Sequence, residues 1–296
     1  MLKSELLRFL SAYPLAIWQE WLKALPEKLA NAERDAAAER DAAVRAVSRQ
    51  NGAVAVVPVR GVIMPKRNIW EIHGLATSTE TIERMVSEAV ADREVKAVVL
   101  DVDSPGGITS GVPELAATLR GLRGKKPIVA HADHLAASAA YWIAASTDEI
   151  VATPSALVGS VGVYLMHVDY SAALEAEGIK VTFVHAGEDK VLGNAYEPLA
   201  DDGRAYLQGL VDDAYRMFVS DVAKGRNTTV AEVEKNYGQG RVLTASDALS
   251  AGVIDKVRTL AETLTAYGVT QNRGRIAAAR ERRAIDALAN PELFRA

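Results

Sequence analysis

Two kinds of apolar pattern alternate along this chain between residues 53 and 257. Short, nearly continuous runs of Val, Ile, Leu and Ala fall at residues 53–63, 95–102 and 125–132. Such runs read as strands, those at 95–102 and 125–132 as strands buried on both faces. Between and after them, apolar residues recur every three or four positions. Thr77-Ser78-Thr79-Glu80 opens a capped helix to Ala91, with Ile82, Met85, Val86 and Val90 on one face. Further helices are predicted over 112–122 and, rich in Ala, over 136–146. Residues 149–154 and 158–166 read as extended, 171–177 as a short helix and 180–184 as another strand. A long amphipathic helix follows over 201–224, carrying Leu207, Leu210, Val211, Ala214, Met217, Phe218 and Val222 at helical spacing. A second helix at 229–237, a short strand entering a capped helix at 241–249, and a last strand at 252–257 complete the series. The alternation predicts an α/β layered fold with a mainly parallel sheet.

The pattern changes at both ends. Residues 1–50 read as a helical extension, with Ala alternating with Glu, Arg and Asp and with an apolar stripe of Trp18, Trp21, Leu22 and Leu25. Residues 51–260 form the expected folded domain, and 261–296 a basic, Ala-rich tail that is helical or loose. Hydrophobic residues make up 49% of the 296 and charged ones 24%, as in ordinary globular proteins. The net charge of −4 gives no reason to expect nucleic acid as a partner. There is no cysteine, which excludes a disulfide framework, a thiol nucleophile and cysteine metal sites. Glu5 and Arg8 interrupt the apolar N-terminus, so no signal peptide is expected, and no run is long enough to predict a membrane span. A soluble, cytoplasmic protein without cofactor or metal is the expectation.

Three short stretches could carry chemistry. Ser138 sits where the strand of 125–132 hands over to the Ala-rich helix, beside unpaired amides and the positive end of a helix dipole. That suits a nucleophile; it equally suits a small residue that allows close packing. Asp103-Ser104-Pro105-Gly106-Gly107 follows another buried strand, and its glycines let backbone N–H groups approach a ligand, or simply make a tight turn. Sites in open α/β sheets lie just beyond the carboxyl ends of strands. A glycine amide and that of Ala139 could there form an oxyanion hole. No Gly-x-Ser-x-Gly surrounds Ser138, and none of the five histidines carries a triad signature. Lysine is a known alternative base. Lys190 follows the predicted strand at 180–184 and could reach the same sheet edge. Its ordinary pKa of about 10.4 makes it a poor base near neutrality, so this role requires burial, with Glu188 and Asp189 pointing away. Ser160, in Val158-Gly159-Ser160-Val161-Gly162, is a candidate to orient the amine, or a serine that satisfies a glycine-rich strand.

In order, Ser104-Pro105-Gly106-Gly107, Ala136-Ala137-Ser138-Ala139-Ala140-Tyr141, Ala152-Thr153-Pro154, Gly159-Ser160-Val161-Gly162-Val163, Lys190 and Gly240-Arg241-Val242 resemble the signal peptide peptidase A family of serine proteases. The resemblance covers roughly 53–257. It implies a ClpP/crotonase-like fold of repeated ββα units, Ser138 as nucleophile, Lys190 as general base and Ser160 as partner of the lysine amine. Gly106 or Gly107, with Ala139, would supply the oxyanion-hole amides. Family members usually have glycines where this chain has Ala139-Ala140, which keeps the amide and narrows the cleft. With helical flanks and no predicted anchor, the chain is most similar to the phage capsid-maturation (prohead) branch. That likeness implies scaffold or capsid proteins as substrates and a homo-oligomer. Alternatives are a cytoplasmic signal-peptide or oligopeptide peptidase, a non-catalytic assembly scaffold on the same fold, and a crotonase-type acyl-CoA enzyme.

Overall fold

Apolar runs of about ten residues with few charges cannot face water on either side, so they pair with one another and are covered by helices. A computed structural model describes residues 14–18, 54–72 and 74–268. In chain order, Leu15–Ile17 form β1, Val54–Met64 β2, Ile69–Ile72 the short α1, Ala76–Ser78 β3 and Thr79–Ala91 α2. Ala97–Ile108 form β4, Val112–Leu122 α3, Ile128–Ala137 β5, Ala139–Ala145 α4, Glu149–Ala152 β6 and Leu157–Gly159 β7. Ser171–Ala176 form α5, Asp201–Gly225 α6, Val230–Asn236 α7, Val242–Thr244 β8, Ala245–Ser250 α8, Lys256–Val257 β9 and Leu260–Ala266 α9.

The strands make one sheet in the order β3-β2-β4-β5-β6-β9, parallel throughout this path. β5 divides one of its edges between two neighbours. Val129 to Ala132 pair with β6, and Leu135 to Ala137 pair with β7. β8 adds to β7 antiparallel, and β1 adds to the end of β4 antiparallel. The capped helix begins as its sequence requires, with the Ser78 hydroxyl accepting from the Thr81 N–H at 3.1 Å. α2 and α3 bring Ile82, Met85, Val86, Leu115 and Leu119 into the main core.

α4 lies at the centre, and all seven of its residues are buried. Its Ala content makes this possible, because small side chains let strands and helices approach from every side. One buried carboxylate ties it to two other helices. Asp221 of α6 accepts from Trp142 Nε1 at 3.1 Å and from the Arg120 guanidinium of α3 at 2.9 Å. Trp142 also stacks on Phe218 with ring centroids 4.5 Å apart. Arg123 caps the far end of α4. It donates to the carbonyls of Ala145, Ser146, Thr147 and Gly225, which would otherwise be unpaired. Gly225 permits this meeting, since a Cβ there would lie 1.9 Å from the Ala145 carbonyl oxygen.

Several elements differ from expectation. Residues 15–17 fall in the stretch expected to be helical, yet they form β1, because the free edge of β4 offers hydrogen bonds that an isolated turn of helix lacks. Residues 180–184 are not a strand, and Val184 is 98% exposed, because no edge lies beside them to pair with. Of the extended run expected over 158–166, only residues to Gly159 join β7, followed by a single bridge at Tyr164. The predicted C-terminal tail begins inside α9, whose Leu264 packs beside Val99, Val129 and Val151. Trp21, Leu22 and Leu25 and the basic residues beyond 268 lie outside the described residues. Among the described residues no helix is long and apolar enough to cross a membrane.

His131 of β5 is fully buried between two hydroxyls, Thr153 Oγ1 at 3.2 Å and Thr263 Oγ1 at 3.1 Å. Burial lowers its pKa, against the opposing pull of Asp101 and Asp133. The unfolded chain therefore binds this proton more tightly than the folded one. Stability is full above about pH 6.5 and falls as pH drops towards the lower folded value. Urea unfolding midpoints should show this loss for the parent chain, and a smaller one for His131→Gln.

Candidate active site

β5 pairs with β7 as far as Ala137 opposite Gly159, and α4 starts at Ala139. A single residue, Ser138, makes the whole turn from strand to helix. It has φ 58° and ψ −120°, a conformation that side chains other than glycine rarely adopt. Such a residue costs about 1–3 kcal/mol and persists only when its surroundings impose it. Here the Ser138 N–H donates to the Gly159 carbonyl at 2.7 Å, and its own carbonyl accepts the Trp142 N–H at 2.9 Å. The Ser138 hydroxyl is 3.4 Å from the Gly162 carbonyl, a weak contact that leaves it nearly uncommitted.

The glycine pair lies on the neighbouring strand. The β4–β5 register ends with Ser104 opposite Ala136, two residues before Gly106 on one strand and two before Ser138 on the other. Gly106 has φ 94°, and its N–H donates to Ser104 Oγ at 3.2 Å; that hydroxyl donates to the Gly61 carbonyl at 2.6 Å. Gly107 is glycine because β2 passes close by: a Cβ there would lie 2.0 Å from the Ile63 carbonyl oxygen. Ala139 opens α4, where N–H groups lack intrahelical acceptors. Ser138, Ala139, Gly106 and Gly107 are all buried.

Ser160 stands on the segment after β7, also at positive φ, 55°. Its hydroxyl donates to the Gly240 carbonyl at 3.1 Å and its N–H to the Arg241 carbonyl at 2.8 Å. It lines a cleft of about 990 Å³ with Ile17, Trp18, Gly162, Tyr164 and Tyr215, and Ser138 is not part of that lining. Lys190 is not brought to Ser138. It lies exposed in a turn closed by its N–H on the Gly187 carbonyl at 3.2 Å, and its amine makes no hydrogen bond or ion pair with a described residue. Glu188 and Asp189 are exposed, as expected.

Two features at the site escape sequence reasoning. β1 is one, and Pro14 before an alternating Leu-Ala-Ile is its only signal. Tyr164 is the other: its hydroxyl is buried without a partner among the described residues, and burial pushes its pKa up to about 12.

A strained serine at a strand-to-helix junction of a parallel sheet is an arrangement used by acyl-transfer hydrolases. The sequence as a whole agrees: residues 120–272 match peptidase family S49, and the chain belongs to that family. The match begins beyond Gly106-Gly107 and spans Ser138, Ser160 and Lys190. Capsid assembly protease C of Escherichia phage lambda is 30% identical over 221 residues, 75% of this chain and 50% of that protein. The head-tail preconnector protein of Enterobacteria phage P21 is 30% identical over 226 residues, 76% of this chain and 45% of that one. Protease 4 of Haemophilus influenzae is 31% identical over 214 residues, covering 71% and 34%. The chain spans half or less of the length of these three relatives.

The backbone strain at Ser138 can be measured. Glycine at this position relieves it, whereas alanine keeps the Cβ that causes it. Ser138→Gly should be more stable than Ser138→Ala by about 1 kcal/mol in denaturant unfolding, despite the greater freedom of glycine in the unfolded chain.

Proposed function

We propose that this chain is a serine endopeptidase with a Ser138–Lys190 dyad on a ClpP/crotonase-like fold. The observation that carries the reading is Ser138 itself, held in a strained turn between β5 and α4. The Lys190 amine takes the hydroxyl proton as Ser138 Oγ attacks a peptide carbonyl. The oxyanion is held by Ala139 N–H together with the amide of Gly106 or Gly107. The C–N bond breaks, the lysine returns the proton to the leaving amine, and water activated by the free amine hydrolyses the acyl-enzyme. Ser160 orients the amine once its hydroxyl turns from Gly240.

Lys190 joins the site on assembly. The segment around it exposes Ile179, Val181, Val184 and Tyr196, large apolar side chains that a single chain leaves in water. In a homo-oligomer a second copy covers them, and Lys190 reaches Ser138 of its neighbour. Burial there supplies the desolvation that a lysine base needs. The similarity to two phage head proteins favours scaffold or capsid proteins as substrates, cleaved inside the prohead in the host cytoplasm.

Ser138→Ala and Lys190→Ala should each lower hydrolysis of a fluorogenic peptide by about 100-fold or more. Co-expression of the two inactive variants should restore part of the activity, because mixed oligomers contain intact pairs. Parent-like activity in both single variants would sink the dyad. Inactive singles with no restoration would place serine and lysine in the same chain.

A further inference from the structure

β5 ends at Ala137, whereas β4 continues to Ile108. The β4 edge that β5 covers as far as Ser104 would therefore be bare over residues 106–108. β1 fills that gap. Ile17 pairs with Gly106, Ala16 with Gly107 and Leu15 with Ile108, all antiparallel. On its other edge, Leu15 donates to the Tyr164 carbonyl at 2.8 Å and accepts from the Tyr164 N–H at 3.0 Å. Three residues from a distant part of the chain thus lie as a strand between two others, end to end with β5.

The direction of β1 matters. Because it runs against β4, its carboxyl end is the one that arrives at Gly106 and Ser138, and the Trp18 N–H donates to the Pro105 carbonyl at 2.8 Å. An extended peptide offered to Ser138 would enter with its acyl side in this direction and would pair with the same edge. Leu15 and Ile17 sit in an apolar pocket of Val62, Met64, Trp70, Ala76 and Ile108. Meanwhile Ser138 is only 1% exposed. β1 occupies the β4 edge along which such a peptide would pair.

We propose that β1 is a built-in occupant of the substrate channel, which blocks Ser138 in the resting chain and leaves before a protein substrate enters. The proposal rests on the reading of Ser138 as nucleophile. Tethering gives β1 an effective concentration in the millimolar range, so dilute peptides compete poorly. Its hold is three residues long, so a substrate that pairs over a longer stretch, or an assembly contact that pulls the N-terminal segment away, displaces it.

The full-length chain tests this with two readouts: labelling of Ser138 by a fluorophosphonate, and hydrolysis of Leu-Ala-Ile coupled to a fluorogenic amine. Ile17→Asp places a charge in the apolar pocket and should accelerate both by about tenfold or more, as the competent fraction rises. A folded Ile17→Asp chain with rates at or below the parent's overturns the proposal. If that variant does not fold, the Ser138→Ala chain decides, with an excess of a synthetic peptide spanning residues 13–18. Displacement should speed hydrogen exchange at the Leu15 and Trp18 amides, and unchanged exchange overturns the proposal. Ser138 unlabelled in every chain, with β1 still displaced by the peptide, would overturn the nucleophile reading and the block with it, and leave the channel standing.

Discussion

A strand buried on both faces cannot pass into a buried helix without an abrupt change of direction, and here one residue makes it. β5 is committed to β7 until Ala137, and α4 is enclosed from Ala139 onward. Ser138 has no freedom to relax, because its N–H is tied to Gly159 and its carbonyl to Trp142. The positive φ follows from these two commitments. So does the position of the hydroxyl, which stands off the sheet end with only a long contact to Gly162.

Holding this turn requires α4 to be anchored more strongly than the strain opposes it. The strain is about 1–3 kcal/mol. Against it, Trp142 contributes an aromatic stack of about 0.5–1.5 kcal/mol with Phe218. Its hydrogen bond to the Asp221 carboxylate adds about 1.5–3 kcal/mol. Arg123 holds the other end of the helix by its carbonyls. The anchors are of the same order as the strain.

The central elements were legible because their patterns are long. The Val-rich runs of β2 and β4, the Ser78 cap and the amphipathic α6 each carry many concordant residues. Ser138 was legible as a serine at a strand end, but Ser104-Pro105-Gly106-Gly107, expected to break the strand, stays inside β4 because β2 and β1 pair with it on both edges. What failed was short or depended on partners. Leu-Ala-Ile cannot announce β1 amid helix-forming neighbours, since the information lies in the β4 edge some ninety residues away. Val181-Thr182-Phe183-Val184 has strand character and no edge to use. Lys190 was expected beside Ser138 because the strand before it was expected in the sheet; without that strand, the single chain leaves it in solvent.

The pairing of β1 has a bearing on solubility. Residues 106–108 present a row of backbone donors and acceptors flanked by Ile108 and Met64, and an unpaired sheet edge of that kind invites association with any extended chain. Native sheets protect such edges with charge, proline or a covering segment. Here the residues are Gly-Gly-Ile, without a charge among them, and the covering segment is β1. The segment that lies along this row of backbone groups thus also screens the sheet edge from other extended chains.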